Sequence, residues 1–142
     1  MSINIPEPIL IQIQDHGEAS YPEEGAGLLL GEEIDGERRV VAMLHLENIR
    51  EDDARRNRYL ISAEDMLRGE RAADRRGLSI VGIFHSHPDH PSFPSEYDRE
   101  WAIPWYSYLI TSVQKGQAET SRSWRLTDDR TAFTEEQIII HD

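Results

Sequence analysis

Residues 78–84 read Leu-Ser-Ile-Val-Gly-Ile-Phe, a nearly unbroken apolar run between Gly77 and His85. A strand with one face in water alternates apolar and polar residues. This run has no polar face to offer, so it belongs at the centre of a sheet covered on both sides. That requirement sets the layer plan: apolar elements must pack above and below the sheet, and the rest of the chain has to supply both layers.

The flanking sequence supplies candidates for them. Pro6 and Pro8 open a segment in which Ile9, Leu10, Ile13 and His16 recur at helical spacing, although Ile11 also permits a period of two. Residues 21–25 are a break. Ala26-Gly-Leu-Leu-Leu-Gly31 reads as a buried strand, Asp35-Gly36 as a hairpin turn, and residues 39–49 as the partner strand. The charged stretch 50–58 reads as a solvated loop, and residues 59–61 as a short strand. Ser62-Ala-Glu-Asp65 resembles a capping box, predicting a helix to about Arg76 with Gly77 at its C′ position. A helix from Pro94 and Ser95 to about Ile103 follows, then strands at 107–113, 122–126 and 133–140. Trp101, Trp105, Tyr106 and Tyr108 are read as core and helix packing. The expectation is one domain over residues 1–142, of α/β or α+β class, with a mixed β-sheet packed between helices.

The central run ends on His85-Ser86-His87-Pro88, and Asp98 follows the second histidine by eleven residues. On an extended strand, residues two apart share a face, so the two imidazoles would point the same way and Ser86 the other. Pro88, Pro91 and Pro94 stiffen the intervening turn, each fixing φ near −65°. A stiff turn can return a third ligand at fixed geometry, and Asp98 is the candidate. Two imidazoles and a carboxylate are what a catalytic zinc takes when one position must stay open for water. Ser95 shares a helical face with Asp98. Its hydroxyl is either a helix N-cap or a donor to a developing oxyanion. His90, between the prolines, is a weaker ligand candidate. Such a site also needs a base, and Glu23 and Glu24 before the strand at 26–31 are acidic candidates that spacing alone does not bring to the metal.

Composition narrows the chemistry. The net charge of −12 argues against a nucleic-acid partner or an anionic membrane surface, because phosphate binding needs clustered Lys and Arg. The absence of cysteine excludes a thiolate nucleophile, disulfides and the Cys-containing zinc motif of nucleobase deaminases. The N-terminal residues lack a basic region followed by an unbroken apolar run, and no stretch approaches the roughly 20 apolar residues of a membrane span. A cytoplasmic location is the expectation.

The pattern His-Ser-His-Pro, six residues, Ser, two residues, Asp resembles the signature of the JAMM (MPN-plus) metalloproteases without a gap. Residues 21–31, Tyr-Pro-Glu-Glu-Gly-Ala-Gly-Leu-Leu-Leu-Gly, resemble that family's first motif, and the resemblance extends over nearly the whole chain. It implies a fold of the cytidine-deaminase type, one zinc ion per chain on His85, His87 and Asp98, Glu24 as general base with Glu23 as the alternative, and Ser95 as the oxyanion donor. Relatives often carry Glu-Ala-Cys-Gly where this chain has Glu24-Gly25-Ala26-Gly27; the missing cysteine affects none of these ligands. The resemblance further implies hydrolysis of the peptide or isopeptide bond after the C-terminal Gly-Gly of a ubiquitin-like or sulfur-carrier β-grasp protein. That tail would lie as an added strand at a sheet edge near the metal, flanked by residues 50–58. Two other readings stand beside it: a non-catalytic scaffold or binding module, and a zinc amidase acting on a small molecule. Oligomeric state is not legible.

Overall fold

In the computed structural model, which describes residues 1–47 and 61–142, the run at 78–84 is the middle of a ring of strands. The elements in chain order are β1 (Ser2–Pro6), α1 (Glu7–Ser20), β2 (Ala26–Ile34), β3 (Glu37–Leu46), α2 (Ala63–Asp74), β4 (Ser79–Pro88), α3 (Glu96–Trp101), β5 (Ser107–Gln114), β6 (Gln117–Leu126) and β7 (Phe133–His141). The strand order is β1-β3-β2-β4-β5-β6-β7, closed because β1 pairs in parallel with both β3 and β7. The sheet is mixed: β4 and β5 are parallel, while β2–β3, β2–β4, β5–β6 and β6–β7 are antiparallel.

The expected two-sided cover is present. On one side Leu10 and Ile13 of α1 join Ile3, Ile5, Leu29, Val40, Val81, Phe84 and Leu109 in one core cluster. On the other, Ala73 of α2 joins Leu28, Leu30, Ile80, Ile83 and Tyr108. The helix α2 lies close on the sheet because Gly69 has no side chain; a Cβ there would come within 2.2 Å of Leu28 Cδ1. Its N-terminus is capped as its sequence predicts, with the Ser62 hydroxyl accepting from the Asp65 N–H at 3.1 Å. None of the described helices is long and apolar enough to cross a membrane.

Three details differ from the sequence expectation. The strand β1 was not foreseen: only Ile3 and Ile5, both fully buried, alternate before Pro6, too short a run to register. Its two-sided pairing leaves the ring without a fully unpaired strand among the described residues. The helix α3 stops at Trp101 rather than Ile103. Pro104 disfavours helical backbone at the residue before it, and Ala102 is already extended at ψ 143°. Finally, Trp101 and Trp105 are not core residues: they are 60% and 49% exposed, whereas Tyr108 is buried and Tyr106 partly so. The 50–58 loop, and residues 59 and 60 of the short strand, lie outside the described residues.

Candidate metal centre

The strand β4 continues past its apolar run and carries His85, Ser86 and His87 to its C-terminal end. The parallel partner β5 pairs Ile110 with His85 and Ser112 with His87. The alternation places both imidazoles on the α2 side of the sheet, and their ring centroids are 5.0 Å apart. Both are buried.

The turn after β4 is held from several directions. Asp89 takes a left-handed conformation, φ 58°. Its N–H donates to Val113 O at 2.8 Å, and its carboxylate accepts from Lys115 N at 2.8 Å and from the Tyr21 hydroxyl at 2.7 Å. The Ser112 hydroxyl donates to His90 O at 2.6 Å, and Trp124 Nε1 to Ser92 O at 3.1 Å. The prolines therefore work together with β5 and β6 in fixing where the next helix starts.

That helix start brings Asp98 back to the histidines. Ser95 and Asp98 form a reciprocal capping box: Asp98 N–H donates to Ser95 Oγ at 3.1 Å, and Ser95 N–H donates to Asp98 Oδ2 at 2.8 Å. The same Oδ2 lies 3.1 Å from His87 Nε2, and Oδ1 lies 3.6 Å from His85 Nε2. Asp98 is only 3% exposed. The opposite nitrogen of His85, Nδ1, lies 3.5 Å from Glu24 Oε1, and Glu24 is 2% exposed. Of the acidic pair, it is Glu24 that reaches the histidines. Glu23 is half-buried in the turn before it, its N–H donating to Ser20 O at 2.9 Å.

Charge and tautomer follow from these contacts. His87 Nδ1 is 2.9 Å from Pro91 O. A carbonyl only accepts, so Nδ1 carries the proton, and in the neutral ring Nε2 is left with its lone pair. That lone pair faces a carboxylate oxygen, an arrangement that needs a positive species between them. A proton is one answer. Burial lowers the affinity of His87 for a proton, but the Asp98 hydrogen bond and charge, the Pro91 carbonyl and the Glu24 charge outweigh it and raise its pKa above the usual histidine value. Asp98 shows the converse: burial disfavours its charge, but His85, His87 and the Ser95 N–H hold it well below the usual carboxylate range. A divalent cation is the other answer, with the Pro91 carbonyl as the outer partner that fixes the imidazole orientation.

Two sets of three donors share the histidines. Ligand atoms of Glu24, His85 and His87 all lie within 4.8 Å of one another. Asp98 touches both rings, each through Nε2. One imidazole presents one nitrogen to an ion, and Glu24 and Asp98 face opposite nitrogens of His85. The Nε2 choice lets His85 Nε2, His87 Nε2 and the Asp98 carboxylate converge and leaves Nδ1 facing Glu24. The cluster opens onto a cleft of about 540 Å³ lined by Glu24, His87, Pro91, Phe93, Ser95 and Tyr97, among others. His90 also lines this cleft but is outside the three-residue donor group. Sequence reading missed the Pro91 carbonyl and the Tyr21–Asp89 tie, because neither has a local signature.

Residues 6–127 match the family described as prokaryotic homologs of the JAB domain. The chain is 31% identical over 113 residues to the "Probable TtuB-protein conjugate cleaving protease" of Thermus thermophilus, covering 78% of this chain and 72% of that one. It is 32% identical over 108 residues to a "Desampylase" of Haloferax volcanii, covering 75% and 74%. A solution structure of a protein from Salinibacter ruber is similar with a TM-score of 0.77 at 42% identity, covering 98% of this chain and 92% of that one.

Proposed function

The chain belongs to the family of prokaryotic homologs of the JAB domain, and we propose that it is a zinc-dependent isopeptidase acting on conjugates of a ubiquitin-like β-grasp carrier. On this reading residues 1–142 work as one cytoplasmic metalloprotease domain. The scissile bond is the one after the carrier's C-terminal Gly-Gly. The observation that carries the reading is the convergence of two buried imidazoles and two buried carboxylates at the wall of an open cleft. Relatives whose names assign them conjugate cleavage and desampylation give the substrate class.

The donor set suits zinc. Imidazole with carboxylate is a borderline set, unlike the all-oxygen cages of magnesium and calcium, and three protein ligands leave one position open. His85, His87 and Asp98 would hold one ion. Zinc, when bound, supplies the Lewis acidity that polarises a carbonyl and makes water nucleophilic near neutral pH. Glu24 then carries the proton: its carboxylate takes one from the attacking water and returns it to the departing amine, so that water's hydroxyl ends on the carrier's carboxyl group. Ser95 Oγ accepts from Asp98 N–H and keeps its own proton to donate, so capping the helix and stabilising the oxyanion are compatible duties of one hydroxyl. Phe93, Pro94 and Tyr97 wall the cleft, and a tail of glycines is the substrate segment that threads such walls with least steric demand.

The test is incubation of zinc-loaded protein with a panel of β-grasp carriers joined through Gly-Gly to a peptide or a lysine side chain, followed by mass spectrometry. Cleavage after the second glycine is expected. Glu24→Gln should keep one zinc and carrier binding but lose turnover by roughly 10²–10⁴-fold. No cleavage across the panel with zinc bound one per chain would sink the reading and favour the scaffold alternative.

A further inference from the structure

We propose that Ser86, the residue between the two histidines, positions Glu24. Its hydroxyl takes the place of backbone as the partner of Gly25, and so ends the β2–β4 ladder at the point from which the Glu24 carboxylate reaches His85. The proposal rests on the reading of Glu24 as the proton carrier.

The strands β2 and β4 are antiparallel, with Ala26 opposite His85 and Gly27 opposite Phe84. One step further, Gly25 faces Ser86. A hydrogen-bonded antiparallel pair exchanges two backbone bonds. Here one survives, with Ser86 N–H donating to Gly25 O at 2.9 Å. The other is made by the side chain: Gly25 N–H donates to Ser86 Oγ at 2.8 Å. Substituting a hydroxyl for the carbonyl releases the segment before Gly25 from the ladder while still fixing it at both polar atoms of Gly25. Glu24 is the first residue past that point.

Ser86 does not touch the reacting groups. Its side chain lies on the α1 side of β4, away from the imidazoles, and it is 3% exposed. The space around it is closed. A Cβ added at Gly17 of α1 would come within 3.2 Å of both Ser86 Cβ and Val113 Cγ2. A second tie holds the same loop upstream, where the Tyr21 hydroxyl donates to Asp89 Oδ2 at 2.7 Å. Glu24 therefore sits between two anchors, and Ser86 is the nearer and more buried. A general base must lie within hydrogen-bond reach of the proton it takes, and a misplacement of about 1 Å can cost about 100-fold in rate.

The variants are Ser86→Ala, Ser86→Thr, which keeps the hydroxyl, and Ser86→Cys, a near-isosteric weak acceptor that guards against a packing defect in the alanine protein. Each is assayed after it is shown to bind one zinc and to melt cooperatively. With Ala and Cys, kcat on a Gly-Gly fusion should fall roughly ten- to hundredfold while KM and zinc affinity hold. Thr should restore most of it. In a Glu24→Gln background, measured by long single-turnover incubation, Ser86→Ala should cost nothing further, because it acts only through Glu24. Amide exchange at Gly25 should speed up in Ala and Cys but not in Thr, whether or not any carrier is cleaved. A full-size kcat loss in the Glu24→Gln background, a matching loss of zinc affinity, or unchanged Gly25 exchange in Ser86→Ala would each overturn the proposal. If the wild type cleaves no carrier, the functional reading fails, while the exchange and zinc measurements still decide whether Ser86 holds the loop.

Discussion

Replacing Asp98 with asparagine should destabilise the zinc-free protein at pH 5.5 and do progressively less as the pH rises through the folded His87 value. At the lower pH His87 is protonated, and its Nε2–H donates to Asp98 Oδ2 at 3.1 Å in a pair whose side chains are 9% and 3% exposed. A buried charge-assisted hydrogen bond of this kind contributes about 1.5–3 kcal/mol. For a chain of 142 residues each kcal/mol corresponds to roughly 2–4 °C, so a loss of about 3–12 °C in melting temperature is expected. The His87 pKa is raised in the folded state, so this stabilisation is complete below the unfolded histidine value of about 6.5 and is lost as pH rises through the folded one. Above the folded value the neutral ring, with Nδ1–H on Pro91 O, presents a lone pair at Nε2. Wild-type Asp98 then faces it with another acceptor, whereas the amide of asparagine donates to it. Oδ2 is also the atom that accepts from the Ser95 N–H, so an asparagine whose –NH2 turns to the imidazole gives up that bond, and the cap at the start of α3 then rests on the backbone N–H of residue 98 donating to Ser95 Oγ. The assay is urea denaturation of both proteins in excess chelator over a pH series that rises from 5.5. An equal loss across the series would show that the carboxylate stabilises the fold through the cap rather than the imidazole, and would refute the argument.

Other consequences can be measured with the same material. Ser95→Ala should lose both activity and about 0.5–2 kcal/mol of stability, since it removes the cap. Ser95→Asp restores a cap and should recover the stability but not the activity, because a carboxylate repels an oxyanion; recovery of turnover would count against an oxyanion role. Chelation should leave the far-ultraviolet circular dichroism essentially intact, since His85, His87 and Asp98 lie on elements supported by two core clusters away from the donors; wholesale unfolding would instead indicate a structural zinc. Gly27→Ala should cost more than a typical overpacking penalty of about 1–3 kcal/mol. An added Cβ would lie 2.2 Å from the Phe84 ring and 2.4 Å from Leu44 O, and the carbonyl cannot rotate away. A midpoint close to wild type in urea would show that β2 and β3 can separate more readily than their register implies.

Much of the site was legible because its residues are close in sequence and each obeys a local rule. The spacing of two along a strand puts His85 and His87 on one face, and the capping box at Ser95 and Asp98 is written in adjacent residues of a helix start. The run at 78–84 required two covering layers, and α1 and α2 supply them. Tertiary structure decided what no local rule contains. Closure of the ring by β1 depends on pairing Ile3 both with Arg38 of β3 and with Ile138 of β7, the last strand. The choice of Glu24 over Glu23 depends on β2 lying beside β4, some sixty residues later in sequence. The proton position on His87 depends on a proline carbonyl that the turn presents, and Trp101 and Trp105 remain exposed because the chain leaves α3 at Ala102. Periodicity and capping are energies between neighbours along the chain. Which carboxylate meets which imidazole is set by strand register, and register is a property of the whole packed sheet.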